Sequence, residues 1–167
     1  MHQMTKDNLE AAFAGESQAY MRYIIYAEKA EKEELPNIAR LFHAIAHAEK
    51  IHATNHLRVL GGISTTPQNL KHGIGGETYE VDEMYPAFQA VAELQEERAA
   101  AKTMYYAVEA EKIHADMYES ARANALEGED IVLGDVWICE NCGHTVEGEP
   151  PDECPVCNVN RDWFVKF

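Results

Sequence analysis

No cysteine occurs before residue 139, and no stretch approaches the roughly 20 consecutive apolar residues that a membrane-spanning helix needs. The first residues, Met1 to Asp7, hold no apolar segment behind a basic one, so no secretory signal is expected. Positive charge is scarce. Lys and Arg total 14 against 29 Asp and Glu, a formal net charge of −15, which argues against nucleic acid or an anionic membrane as partner. Helix breakers are scarce too. From Thr5 to Glu34 there is no proline and a single glycine, and from Ala87 to Glu127 there is neither. Long helices are therefore expected. Hydrophobic residues make up 46% of the 167 and charged residues 26%, enough for one modest domain, or a domain plus a small module.

The helix predicted from about Leu35 to Leu60 organises the rest. At steps of three and four residues one face carries Phe42, Ile45, Glu49, His52 and His56. A carboxylate and an imidazole thus fall within the stripe that should face the core. A buried carboxylate without a partner is strongly unfavourable, so a cation must meet it. Downstream, Met104, Ala107, Glu111, His114 and Tyr118 repeat the pattern. The first helix, about Thr5 to Glu34, carries Leu9, Phe13, Glu16, Tyr20, Tyr23 and Ala27 on its inward stripe. Pro36 suits the first turn of the second helix, and Gly61 and Gly62 end it.

Gly61 to Gly76, with Pro67 and four further glycines, reads as a turn-rich connection that crosses a bundle end or acts as a hinge for exchanging helix pairs between subunits. A third helical pattern starts near Glu77, with Glu80, Met84, Phe88, Val91 and Gln95 on its stripe and Pro86 expected to kink or break it. One helix from there to Glu127 would far outrun the first two. If Glu77 and Glu111 are level on antiparallel neighbours, the turn lies near their midpoint, residue 94. For Glu16 and Glu49 the same rule gives a point between residues 32 and 33, close to the turn that Pro36 marks. The second turn is therefore placed at Gln95 to Ala99. Gly128 ends the fourth helix.

Two helix pairs result, each with Glu on its first helix and Glu-x-x-His on its second. That is the ligand pattern of ferritin-like dimetal bundles. Glu16, Glu49, His52, Glu77, Glu80, Glu111 and His114 supply five carboxylates and two imidazoles for two ions, with Glu49 and Glu111 bridging. A buried ion-pair network is the competing explanation, but the inward stripes offer no Lys or Arg. Glu80 exceeds the simple pattern, as an exchangeable ligand or a nearby base. Tyr23 and Tyr85 either donate hydrogen bonds to ligand carboxylates or pack. His56 is read as supporting a ligand or packing in the core rather than as a ligand itself, and His43 and His47 as solvated.

After Gly134 the composition changes. Cys139-x-x-Cys142 and Cys154-x-x-Cys157, eleven residues apart, are the spacing of a metal site rather than of disulfides, and imply a reducing, cytoplasmic compartment. The 32 residues from 136 cannot bury enough surface to fold alone, so a metal should hold them; four thiolates suit zinc or a single iron. The expected division is residues 1–134 and 135–167.

On these residues the chain resembles the rubrerythrins: Glu16 in Ala-Gly-Glu, Glu49-x-x-His52, Glu77-x-x-Glu80 ahead of Met84-Tyr85-Pro86, Glu111-x-x-His114, and both cysteine knuckles. The resemblance covers nearly the whole length. It implies a mainly α protein, an antiparallel ferritin-like four-helix bundle with two iron ions followed by a small rubredoxin-like iron module. The implied activity is a peroxidase reducing hydrogen peroxide to water in oxidative-stress protection. Electrons would come from rubredoxin or an NAD(P)H-dependent reductase. It implies a homodimer or larger assembly, with the rubredoxin-like site of one subunit serving the di-iron site of another, and Glu80 exchanged for His52 on reduction. Asn158 departs from the glycine usual after the last cysteine, although asparagine also tolerates a left-handed backbone. Two alternatives stay open: a ferroxidase or iron-handling protein, and a redox-silent bundle with a structural zinc ribbon.

Overall fold

The computed structural model describes all 167 residues, which divide into two compact units, Met1–Ser64 and Thr65–Phe167. The first is a helical hairpin of α1 (Gln3–Lys32) and α2 (Pro36–Val59). Its seam is made of alanines: Ala27 and Ala30 of α1, and Ala39, Ala46 and Ala53 of α2, are all buried. Small side chains bring the two backbones close. The expected stripes lie to one side of this seam. Leu9, Phe13, Glu16, Tyr20 and Tyr23 are half-buried, while Ile45, expected inside, is 41% exposed.

The second unit contains α3 (Thr66–Tyr79), a π-helical turn (Glu80–Met84), α4 (Tyr85–Leu94) and α5 (Arg98–Glu127). Its turn between α4 and α5 falls where the level-carboxylate rule places it. Both interhelix turns are built alike. The Leu35 N–H bonds the Ala30 carbonyl at 2.9 Å with Glu34 at φ +59°, and the Glu97 N–H bonds the Ala92 carbonyl at 2.8 Å with Glu96 at φ +59°. Each is a Schellman closure with glutamate where glycine is usual, at a cost of roughly 1–2 kcal/mol for the left-handed backbone.

Two expectations are corrected. The stretch Gly61 to Gly76 is not a connection throughout: α3 begins at Thr66 with Pro67 in its first turn, eleven residues ahead of Glu77. Glycine costs a helix about 1 kcal/mol relative to alanine, but packing outweighs it here. A Cβ on Gly73 would meet the Tyr118 ring at 3.2 Å, so the missing side chain admits the ring of α5, and Arg122 Nε donates to the Pro67 carbonyl at 3.2 Å. Pro86 does not break the helix either. The turn before it widens, so that the Tyr85 N–H reaches the Glu80 carbonyl. The extra residue relieves the clash that proline makes with the preceding turn. It also shifts the stripe. Val91 and Phe88, expected inside, are exposed, and Ala92 is buried instead.

The second unit ends in a three-stranded antiparallel sheet ordered β2-β1-β3, with β1 (Val136–Cys139), β2 (Thr145–Glu147) and β3 (Phe164–Lys166). Ile138 pairs with Thr145 and Cys139 with Phe164. Its core is Cys139, Cys154 and Phe164, flanked by Trp137, Val156 and Val159. So small a core requires a metal to hold it. No helix of the chain is long and apolar enough to cross a membrane.

Candidate metal centres

Each unit gathers a carboxylate–histidine group. In the first, α1 supplies Glu16 and α2 supplies Glu49 and His52, with one donor atom from each inside a 4.8 Å cluster. The three-residue step puts His52 one turn above Glu49, with Nδ1 3.0 Å from Glu49 Oε2 and 3.9 Å from Glu16 Oε1. In the second, α3 supplies Glu77 and α5 supplies Glu111 and His114, again within 4.8 Å. Here His114 Nδ1 lies 2.6 Å from Glu111 Oε2.

The donor chemistry fits a cation. Two carboxylates and one imidazole converge in each group with no Lys or Arg among them, so charge balance requires a proton or a metal. Glu77 registers the conflict. Burial, then a hydrogen bond and charge repulsion from Glu111, push its carboxyl from 4.5 up to about 7. A divalent ion would replace that proton and relieve the repulsion. Oxygen and imidazole donors suit iron, manganese or zinc.

Glu80 stands outside the three-donor group. Burial and then the charge of Glu111 raise its carboxyl above the ordinary range. Tyr85 is raised by burial, then by Glu80, Glu111 and Glu77, which places its hydroxyl among the carboxylates. The widened turn explains this placement: it brings Tyr85, rather than Met84, onto the face of Glu80. Tyr23 packs instead, its ring centroid 6.1 Å from that of Phe42 and 6.4 Å from that of Tyr26. His43 pairs with Glu31 at 3.2 Å on an exposed face.

Four cysteines form the third group. Cys139 and Cys157 sulfurs lie 3.7 Å apart, Cys142 and Cys154 sulfurs 3.6 Å, and none is in a disulfide. Burial raises the Cys139 and Cys142 thiols. Burial also raises Cys157, but hydrogen bonds from the Asn141 side chain, the Val159 N–H and the neighbouring Cys142 and Cys154 thiols together more than offset it, and the thiol is lowered to about 7. A group that holds one thiolate near neutrality and brings three more sulfurs alongside is a tetrahedral sulfur site for iron or zinc. Asn158 has φ +60°, the left-handed conformation its position demands. Two contributors carry no signal in the sequence. Asn141 occupies an unspecified position of its knuckle, and Thr145 meets His114 across 31 residues of sequence, a pairing no local pattern announces.

The Rubrerythrin family model matches residues 7–122, and the model described as "Rubrerythrin, rubredoxin-like domain" matches residues 137–165. Rubrerythrin-2 of Clostridium acetobutylicum is 44% identical, covering 98% of this chain and 97% of its own. Nigerythrin of Nitratidesulfovibrio vulgaris is 32% identical over 98% of this chain and 86% of its own. A solved structure of fully reduced, all-ferrous nigerythrin superposes with a TM-score of 0.56 at 31% identity, covering 98% of this chain and 86% of that one. The chain thus carries carboxylate–histidine groups of the di-iron kind and a four-cysteine rubredoxin-like site. With both family models matched in sequence order and relatives aligned over nearly its whole length, the chain belongs to the rubrerythrin family.

Proposed function

We propose that this protein is a non-haem di-iron peroxidase that reduces hydrogen peroxide to water. The observation that carries the reading is the pairing, in one chain, of two carboxylate–histidine groups with a four-cysteine site. Iron in these sites would supply two electrons and Lewis acidity for cleaving the O–O bond, with a one-electron tetrathiolate relay to restore them.

The protein's own groups set the conditions. Glu16, Glu49, His52, Glu77, Glu111 and His114 would hold the metal, and Cys139, Cys142, Cys154 and Cys157 the relay iron. Glu80, beside Glu111 but outside the three-donor group, would be a further carboxylate ligand able to take the place of His52. Tyr85 keeps its proton and donates it in a hydrogen bond to a carboxylate, a role its surroundings favour over Tyr23. The functional division is residues 1–134 and 135–167. Reduced thiols fit a cytoplasmic protein acting in oxidative-stress protection. The working form is a homodimer or larger assembly, fed by rubredoxin or an NAD(P)H-dependent reductase.

The test is the visible spectrum of anaerobically reduced protein before and after one equivalent of hydrogen peroxide. Rapid appearance of di-iron and iron–tetrathiolate absorbance is expected. A colourless protein with zinc on the cysteines would overturn the reading.

A further inference from the structure

We propose that Thr145 is a positioning residue that fixes the tautomer of His114 and joins the Glu77–Glu111–His114 group to the Cys142 sulfur within a single chain. The inference rests on the metal-binding reading of these groups, not on peroxide turnover.

The contact is built from α5 and the first cysteine knuckle. Gly143 follows Cys142 with φ +80°, a left-handed turn, and its Cβ position lies 3.8 Å from the Ala110 methyl. Ala110 is one turn before His114 and buried, so a small residue on the helix and a glycine on the knuckle let the two meet. Thr145, only 4% exposed, then lies with its Oγ1 2.8 Å from His114 Nε2 and 3.1 Å from the Gly143 carbonyl oxygen.

The proton order follows from donor and acceptor capacity. A carbonyl can only accept, so the one hydroxyl hydrogen of Thr145 goes to Gly143. Thr145 Oγ1 must then accept from His114, which places the imidazole hydrogen on Nε2. A neutral His114 so held turns its Nδ1 lone pair toward Glu111, 2.6 Å away, where a metal ion would bind.

The route continues past Gly143. Its carbonyl belongs to the same peptide unit as the His144 N–H, and that N–H hydrogen-bonds the Cys142 sulfur. One planar peptide therefore receives the Thr145 hydroxyl on one side and serves the sulfur on the other. Hydrogen bonds in series polarise one another, so charge at either site is felt at the other. The connection lies within one chain, whereas family resemblance implies traffic between subunits.

The test compares wild type, Thr145→Val and Thr145→Ser. In all-zinc, diamagnetic protein with labelled histidine, the His114 Nε2–H should appear in the wild-type nitrogen spectrum as a slowly exchanging signal. With zinc on the cysteines, cobalt(II) titration should show Thr145→Val binding the carboxylate–histidine group about 10- to 100-fold more weakly, and Thr145→Ser restoring it. A merely structural role would not make binding follow the hydroxyl. Wild-type protein with the hydrogen on His114 Nδ1, or a valine variant binding as wild type, overturns the proposal. If the valine variant does not fold, the wild-type spectrum alone decides. Neither readout uses peroxide, so failure of the peroxidase reading would leave this result standing.

Discussion

His52 and His114 close the same four-residue motif on the second helix of a pair, yet they are held differently. The His52 side chain is 54% exposed and meets Glu49 and Glu16 through Nδ1. The His114 side chain is 30% exposed and gripped at both nitrogens, by Glu111 at 2.6 Å and by Thr145 at 2.8 Å. Ring orientation at His114 is set by residues the motif does not contain. Two carboxylate–histidine groups with the same local sequence thus hold their histidines differently, the difference coming from what lies beyond the helix.

The sharpest attempt to break this contrast is to remove the carboxylate beneath each histidine. Glu49→Ala and Glu111→Ala should each lower peroxide turnover by more than about 100-fold, since loss of a direct ligand exceeds loss of a supporting one. The tetrathiolate absorbance should survive in both. Retained turnover in either variant would show that its motif does not carry the chemistry. Equal losses would mean that the different environments tune the site without making either half dispensable.

Glu77→Gln sharpens the contrast from the other side. The folded-state carboxyl of Glu77 is raised from 4.5 to about 7, so the metal-free protein favours its protonated form. Stability from this group is fully present below the ordinary carboxylate value and is lost as pH rises through about 7. Denaturant midpoints of metal-free protein should therefore fall between pH 5 and pH 8, and Glu77→Gln should flatten that fall. Metal uptake near pH 6 should also release a proton in wild type and less in the variant. Titration calorimetry in buffers of different ionisation heat reads this directly. A pH-independent midpoint in wild-type metal-free protein would show that Glu77 does not hold a proton in the folded state.

Much of this was legible in sequence because ligand spacing obeys helix geometry. Glu-x-x-His places two donors on one face whatever surrounds them, and level carboxylates on antiparallel helices fix the turn between them, so the turn from Leu94 to Arg98 is located without a proline or glycine to mark it. The helix through Gly73, Gly75 and Gly76 was not legible. Local propensity favours a loop there, and the ring of Tyr118 that reverses this preference comes from 45 residues away in sequence. The turn ahead of Pro86 was half legible: proline announces a disturbance but not its form, and the widened turn decides that Tyr85 meets the carboxylates. Periodicity likewise gave an apolar face on α2 but not its seam. The alanines that bury completely contribute little to a hydrophobic stripe read by size.

The smallest effect concerns the two cysteine knuckles, which close on different residues. Each ends in a left-handed turn after its second cysteine, with Gly143 at φ +80° in the first and Asn158 at φ +60° in the second. The turn lets the Gly143 N–H bond the Cys139 carbonyl at 2.8 Å and the Asn158 N–H bond the Cys154 carbonyl at 2.9 Å. Glycine adopts this conformation without a Cβ penalty, while asparagine is among the few other residues that visit it routinely. Asn158→Gly should therefore relieve a little folded-state strain while loosening the unfolded chain, and the two effects oppose each other. The net change in stability should lie within about 0.5 kcal/mol, with the iron–tetrathiolate spectrum unchanged. Asn158→Val should lose considerably more, because a β-branched residue is a true outlier at positive φ. Equal stability of the glycine and valine variants would show that backbone conformation at this position is not what closes the second knuckle.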